Sequence, residues 1–266
     1  MTDYRQLFDL NGKTMLVLGS ASGIGRGSAR VLAGLGAHVI CSDVDEAGVA
    51  ATAAEIGGDV LLCDTADAAS VAALADTIAT RYPRLDAAVT TPGINVRKRI
   101  VDFDEADFDR IVALNLKGTF LFLRAFLKLL IGQGRGGSIV ASSSVRAVTL
   151  EAGLGVYAST KAGIGQLVSG AAAEAGEYNI RVNAIAPSIV ETALTMPLKE
   201  RPELWEKYAK HTVLGRWSRA EEIGAAVAFL VSDAASYVSG STLFVDGGWT
   251  AIDGPPSGLM QTRPNA

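Results

Sequence analysis

Three residues between positions 144 and 161 have the types and spacing for acid–base chemistry. Ser144 is followed thirteen positions later by Tyr157, and Tyr157 four positions later by Lys161. Tyr157 and Lys161 lie in YASTKAGIGQLVSGAAAEA, an Ala/Gly-rich run that reads as a helix. Positions i and i+4 share one helix face, so an ammonium would stand beside a phenol. A loop preceding the helix would aim the serine hydroxyl at both. A free tyrosine titrates near pH ~10 and is a poor base at neutrality. A neighbouring positive charge favours the phenolate, and a pKa nearer the working pH makes a better general acid or base. Alone, Y-x-x-x-K is met often by chance, with a tyrosine packing a helix face and a lysine snorkelling. The rest of the chain decides between these readings.

The elements that must position these groups alternate in type. Short apolar runs at 14–19, 37–43, 59–64, 85–91, 137–144, 180–187 and 242–248 read as strands. Helical stretches separate them, including one from about 104 to 131 and one at 218–233. In the latter, Ser218 with Glu221 three residues on has the spacing of a capping box. Near-continuous apolar strands alternating with helices predict a parallel sheet covered on both faces. Right-handed crossovers then give a doubly wound, Rossmann-type α/β fold of about seven strands. No linker or internal repeat breaks this rhythm, so one domain over 1–266 is expected. A loop-rich stretch at about 188–217 would form a lid, and an irregular tail would run from about 250. The lid holds Met196, Leu198, Leu204, Trp205 and Tyr208 as apolar cover.

Composition narrows the function classes. The 266 residues are 49% hydrophobic and 20% charged, with formal net charge −4. That suits a globular protein with a large core. The densest basic segment, VRKRI at 96–100, is too short to track a phosphate backbone, so nucleic acid is not expected as a partner. GTFLFLRAFLKLLIG is interrupted by Arg124 and Lys128 and is too short to span a bilayer. Two cysteines, Cys41 and Cys63, make no disulfide framework and suggest a reducing compartment. With a polar, acid-containing first segment, the expectation is a cytoplasmic protein. The two histidines are far apart, and no metal-ligand cluster is evident.

The first strand runs into Gly19-Ser-Ala-Ser22-Gly23-Ile24-Gly25 and then directly into a helix. Glycines there let backbone approach a pyrophosphate, and the helix start offers unpaired N–H groups. Asp43 ends the second strand, where an acid accepts hydrogen bonds from ribose hydroxyls and repels a 2′-phosphate. Ser22 and Val44 are uncharged, which favours NAD over NADP. Asp64, ending the third strand, would face the adenine edge or serve as a turn residue.

Together these residues resemble the short-chain dehydrogenase/reductase family in its compact single-domain form. The resemblance runs from about Leu10 to Trp249. It includes the glycine turn at 19–25, Asp43, CDT at 63–65, NLKGTF with Asn115, Ser144, Tyr157-ASTK, RVNAIAP with Thr192, and LVSDAASYVSGSTLFVDGGW. It implies an oxidoreductase interconverting a secondary alcohol and a ketone by hydride transfer. Tyr157 would be the acid/base and Lys161 would lower its pKa and bind the nicotinamide ribose. Ser144 would hold the substrate oxygen. Asn115, at a kink in its helix, would bind a water that relays protons from Lys161. The resemblance also implies cofactor contacts at Gly19, Ser22, Gly23, Ile24, Gly25, Asp43, Val44, Asp64, Thr65, Thr91, Gly93, Pro187, Ser188, Ile189 and Thr192. It implies a homodimer or homotetramer formed through the two long helices, at about 104–131 and 157–177, and the last helix and strand.

Departures from the family pattern are Leu18 in place of a threonine, Thr90-Thr91-Pro92-Gly93 in place of N-N-A-G, and Ser188 in place of a glycine. Thr90 is expected to donate a hydrogen bond between strands, and Ser188 to alter the local φ. Substrate positions are expected at Asn95, Arg97, Arg146 and Glu151. Polar groups of both signs suit a sugar, polyol or hydroxy acid, while the apolar lid would suit a steroid-like or fatty substrate. Alternatives to the NAD-linked dehydrogenase are an NADP-linked 3-oxoacyl-thioester reductase and a catalytically silent nucleotide-binding regulator.

Overall fold

A computed structural model describes residues 3–192 and 195–252. Beyond Ile252 the expected tail lies outside the described residues. Seven strands form one parallel sheet. They are β1 (Thr14–Leu18), β2 (His38–Asp43), β3 (Asp59–Leu62), β4 (Ala87–Thr90), β5 (Gly137–Ser142) and β6 (Ile180–Pro187), closed by a strand at Thr242–Val245. Two short strands, β7 (Val190–Glu191) and β8 (Ser218–Arg219), pair beside the sheet, which makes the last strand β9. The sheet order is β3-β2-β1-β4-β5-β6-β9. The order reverses between β1 and β4, and a crevice opens there at the carboxyl ends of the strands, where such sheets bind ligands.

Burial on both faces explains the unbroken apolar strands. On one face, β-strand side chains pack with α3 (Ala68–Arg81), α5 (Gly118–Gln133) and α6 (Gly155–Ala175) around Phe122 and Phe126. On the other they pack with α1 (Gly23–Gly34), α2 (Glu46–Ile56) and α8 (Ala220–Val231) around Leu32 and Val227. Each fully buried aliphatic or aromatic side chain contributes roughly 1.5–3 kcal/mol. Asp45 and Asp67 cap α2 and α3 by accepting backbone N–H bonds, which satisfies donors the helices cannot use.

Three expectations change. The long helix expected over 104–131 is α4 (Glu105–Ile111), a π-helical stretch at Val112–Lys117, and α5. Ser218 does not cap α8. Its hydroxyl donates to the Ile189 carbonyl at 2.8 Å in the β7–β8 pair. The cap falls one residue later, where Glu222 accepts the Arg219 backbone N–H at 2.8 Å. The stretch at 188–217 is not mainly loop, because β7, a 3-10 turn at Met196–Glu200 and α7 (Pro202–His211) together fill more than half of it. Among the described residues, no helix is long and apolar enough to cross a membrane.

Candidate active site

The crevice is a cleft of about 880 Å³. It is lined by Gly19, Ser22, Gly23, Ile24, Gly25, Asp43, Val44, Asp64 and Thr65 at one end. Asn95, Arg97, Ser144, Arg146, Glu151, Tyr157 and Lys161 line the other, with Thr91, Gly93, Pro187, Ser188, Ile189 and Thr192 along its course. Every expected site residue except Asn115 therefore borders one space. Asn115 is fully buried behind it.

The first turn has no room for side chains. Gly19 has φ +92°, a left-handed conformation, and a Cβ there would collide with the Thr91 side chain. A Cβ at Gly25 would collide with the Gly19 carbonyl. The backbone is thus open to a close ligand. Ser22 occupies the N-cap of α1 without a side-chain cap bond, so the helix start keeps its donors. The missing hydroxyl at Leu18 is supplied from across the sheet. Thr91, rather than the expected Thr90, donates to the Leu18 carbonyl at 3.1 Å and stands 3.3 Å from that of Gly19. Asp43 accepts the N–H groups of Ala21 at 3.0 Å and Val44 at 2.8 Å, locking turn and strand end together. Ser188 keeps an ordinary backbone, since the only non-glycine residue with positive φ among those described is Asn179. Its hydroxyl donates to the Asp246 carbonyl at 2.9 Å.

At the other end, β5 delivers three serines in a row and α6 delivers the tyrosine and lysine. Ser143 donates to the Lys161 carbonyl at 2.8 Å and is consumed structurally. Ser144 keeps extended backbone past the strand end, with φ −167° and ψ 158°, and accepts the Arg146 N–H at 3.1 Å. Its hydroxyl also stands beside the Tyr157 phenol. Lys161 is buried, lies 5.7 Å from the centre of the Tyr157 ring, and donates from Nζ to the Ser142 carbonyl at 2.7 Å. Burial lowers its pKa to about 8.

The phenol departs from expectation. Burial pushes the Tyr157 pKa up, and the Ser144 hydrogen bond and the Arg146 charge oppose that rise without cancelling it. Lys161 aims its ammonium at the Ser142 carbonyl, and desolvation of the phenolate prevails.

Asn115 sits in the π-helical stretch, at the position of the expected kink. Its side-chain amide pairs with the turn after β4, accepting from the Ile94 N–H and donating to the Ile94 carbonyl, both at 2.9 Å. Its own carbonyl accepts the Thr119 hydroxyl at 2.6 Å, which occupies one of its two lone pairs.

The substrate-side residues form one network. Glu151 Oε2 accepts Arg146 at 2.7 Å. Glu151 Oε1 accepts the Tyr208 hydroxyl at 2.8 Å and also Arg97. Burial works to raise the Glu151 pKa, but Arg97 and Tyr208 outweigh it and hold the carboxyl below its usual range. Tyr208 is on α7, so this carboxylate ties the lid to the loop after β5. Apolar packing does the rest. Trp205 stacks on Trp217 at 3.8 Å, and Tyr208 meets both Trp217 and Trp249. Leu198, Trp205 and Tyr208 provide the expected apolar cover, whereas Met196 is exposed. Residue typing missed Trp217 and Trp249, which both line the cleft. Trp249 ends the LVSDAASYVSGSTLFVDGGW segment, and its contacts with Arg146 and Tyr208 reveal its place.

Known proteins agree with this architecture. The family described as enoyl-(acyl carrier protein) reductase matches residues 19–250. D-threitol dehydrogenase of Mycolicibacterium smegmatis is 37% identical over 248 residues, covering 91% of this chain and 95% of that relative. Galactitol 2-dehydrogenase of Cereibacter sphaeroides is 36% identical, covering 93% of this chain and 99% of that relative. Among solved structures, a gluconate 5-dehydrogenase from Burkholderia cenocepacia, in complex with NADP and tartrate, superposes with a TM-score of 0.88 at 32% identity. That match covers 93% of this chain and 99% of the other. The chain belongs to the short-chain dehydrogenase/reductase family, and it is an oxidoreductase that acts on CH–OH groups and uses a nicotinamide dinucleotide.

Proposed function

We propose that the protein interconverts a secondary alcohol and a ketone on a sugar, polyol or hydroxy acid, with NAD(H) as its dinucleotide. The observation that carries this reading is the convergence of Ser144, Tyr157 and Lys161 on one wall of the cleft that holds the glycine turn and Asp43. The relatives that act on threitol and galactitol support the substrate class.

The crowded glycine turn and the uncapped start of α1 fit a dinucleotide pyrophosphate. Gly19, Ser22, Gly23, Ile24 and Gly25 would hold it. Asp43 and Val44 would take the adenosine ribose, with Asp64 and Thr65 beside the adenine. Thr91, Gly93, Pro187, Ser188, Ile189 and Thr192 would border the nicotinamide half. The cationic lining residues Arg97, Arg146, Lys161 and Arg201 are all remote in sequence from this adenosine end, where Ser22, Asp43, Val44 and Asp64 stand. Among the described residues, a 2′-phosphate would meet an acid and no cation, which supports NAD.

The bound nicotinamide supplies the hydride acceptor or donor. Ser144 donates to the substrate oxygen and stabilises its developing charge. Tyr157 exchanges the hydroxyl proton with that oxygen. Its raised pKa keeps the phenol protonated, which suits the acid role in ketone reduction. Alcohol oxidation needs the phenolate and gains from higher pH. Lys161, titrating near 8, passes the proton onward, and Asn115 holds the turn carrying Gly93 and Ile94 in register with it.

The exposed apolar side chains Ile100, Val101, Phe108, Val148 and Leu150 surround α4 and the start of α6. A surface of this kind calls for a partner, and a second copy of the chain gives a homodimer or homotetramer. The free, buried Cys41 and Cys63 support a cytoplasmic location.

The test follows NADH absorbance with NAD or NADP against polyols, sugar acids, simple secondary alcohols and acyl-thioester substrates. Turnover of polyhydroxy compounds with NAD is expected. Clear NADH binding with no turnover of any alcohol or ketone would overturn the proposal.

A further inference from the structure

Resting on this dehydrogenase reading, the geometry points to a carboxylate on the substrate, bound by Arg146. The site around Arg146 is built rather than incidental. Its side chain is only 12% exposed, and the guanidinium carbon lies 5.0 Å from the centre of the Trp249 ring. Nη2 donates to Glu151 at 2.7 Å, which fixes the plane of the group. Among the described residues, Nε and Nη1 have no hydrogen-bond partner and neither is sealed from solvent, and Arg146 borders the cleft. Free donors therefore remain on a guanidinium that borders the same cleft as Tyr157, and Nη1 with the second hydrogen of Nη2 would meet a carboxylate end-on.

The charge balance agrees. Among the described residues, Glu151 is the one acid on this wall of the cleft, and it already accepts from Arg97, Arg146 and the Tyr208 hydroxyl. Two arginines against one carboxylate leave one positive charge in excess. Arg97 is 50% exposed and water serves it. Arg146 is not, so the excess lies on a guanidinium largely withdrawn from solvent. A neutral polyol would leave it half-paired, whereas a carboxylate completes it. Arg146 lines the same cleft as Ser144 and Tyr157, which puts a bound carboxylate within a small molecule's length of the reacting carbon. The substrate is then a hydroxy acid of the aldonate type, oxidised at a secondary hydroxyl some carbons from its carboxylate.

The experiment compares aldonates with alditols matched carbon for carbon, such as D-gluconate against D-glucitol, in the wild type, Arg146→Gln and Arg146→Lys. A charge-assisted, bidentate pair predicts that wild type favours aldonates by about 10–100-fold in kcat/KM. Arg146→Gln is expected to lose that preference mainly through KM, with the loss on aldonates at least about ten times that on alditols. Arg146→Lys is expected to restore part of it, which a purely structural role for Arg146 would not predict. Equal or better turnover of alditols by wild type, or equal losses on both classes in Arg146→Gln, overturns the carboxylate while leaving the dehydrogenase reading in place. Absence of turnover on every alcohol overturns both.

Discussion

The two ends of the cleft recognise by different means. The dinucleotide end is made of backbone: a left-handed Gly19, a crowded Gly25, the bare start of α1, and a single acid, Asp43. Its parts lie within one β–α–β unit. The substrate end is made of long side chains from four separate segments. Arg97 follows β4, Arg146 and Glu151 follow β5, Tyr208 is on α7, and Trp249 follows β9. Backbone recognition changes little without breaking the turn. Side-chain recognition changes with any one residue, so one fold can serve many substrates. Between the two ends stand Tyr157 and Lys161, on a helix packed against the sheet.

The most severe break falls on that middle. Tyr157→Phe is expected to reduce kcat by about 10²–10⁴-fold while NADH binding, read by fluorescence titration, stays within about twofold. Substantial turnover in that variant would remove the proton-transfer role and leave the cleft a binding site.

Lys161 yields a prediction in stability. Burial lowers its pKa from 10.5 to about 8, so between these values the unfolded chain holds more protons than the folded one. Stability from this group therefore rises with pH across that window. Relative to Lys161→Met, wild type is expected to gain on the order of 3 kcal/mol between pH 8 and 10.5 in urea denaturation, since each unit is about 1.4 kcal/mol. A difference independent of pH would show that the ammonium is not desolvated.

Asp43→Ala sharpens the dinucleotide end. The ratio of kcat/KM for NAD to that for NADP is expected to fall by about 10–100-fold, because lost ribose hydrogen bonds affect NAD alone. Equal losses with both dinucleotides would mean that Asp43 only braces Ala21 and Val44.

The smallest effect is expected from Glu151→Gln. It removes the charge that holds Tyr208, Arg97 and Arg146 together, and it loosens α7. KM for the alcohol is expected to rise by up to about tenfold with kcat changed less, read by steady-state kinetics. An unchanged KM would detach the lid from substrate binding.

Sequence reading reached the dinucleotide end and the middle more fully than the substrate end, for a physical reason. Tyr157 and Lys161 share a face because a helix repeats every few residues, and that is written locally. Asp43 ends a strand whose apolar run is visible on its face. The order of strands follows from alternating elements and right-handed crossovers. Thr91 is a counterexample within the same end. Local pattern assigned the inter-strand hydrogen bond to Thr90, but strand pleating turns the neighbouring hydroxyl toward Leu18 and Gly19. The expectation for Ser218 failed in a similar way, because the Ile189 carbonyl, just before β7, takes its hydroxyl before α8 begins.

The substrate end was legible only as residue types. Tyr208 reads as apolar cover from its neighbours, yet its hydroxyl reaches Glu151 from 57 positions away. Trp249 gains its meaning from Arg146, which lies far from it in the chain. The phenol pKa is a further case: Lys161 four residues on implies a fall, and burial makes it a rise. The sequence by itself determined the parallel α/β architecture, the glycine turn, the acid at the end of β2 and the reacting tyrosine, because each depends on spacing along one element or between neighbours. Only the tertiary structure decided which charges meet, which hydroxyls are already occupied, and how dry the phenol and the ammonium are. Those depend on side chains brought together from remote segments, and on the solvent that their packing excludes.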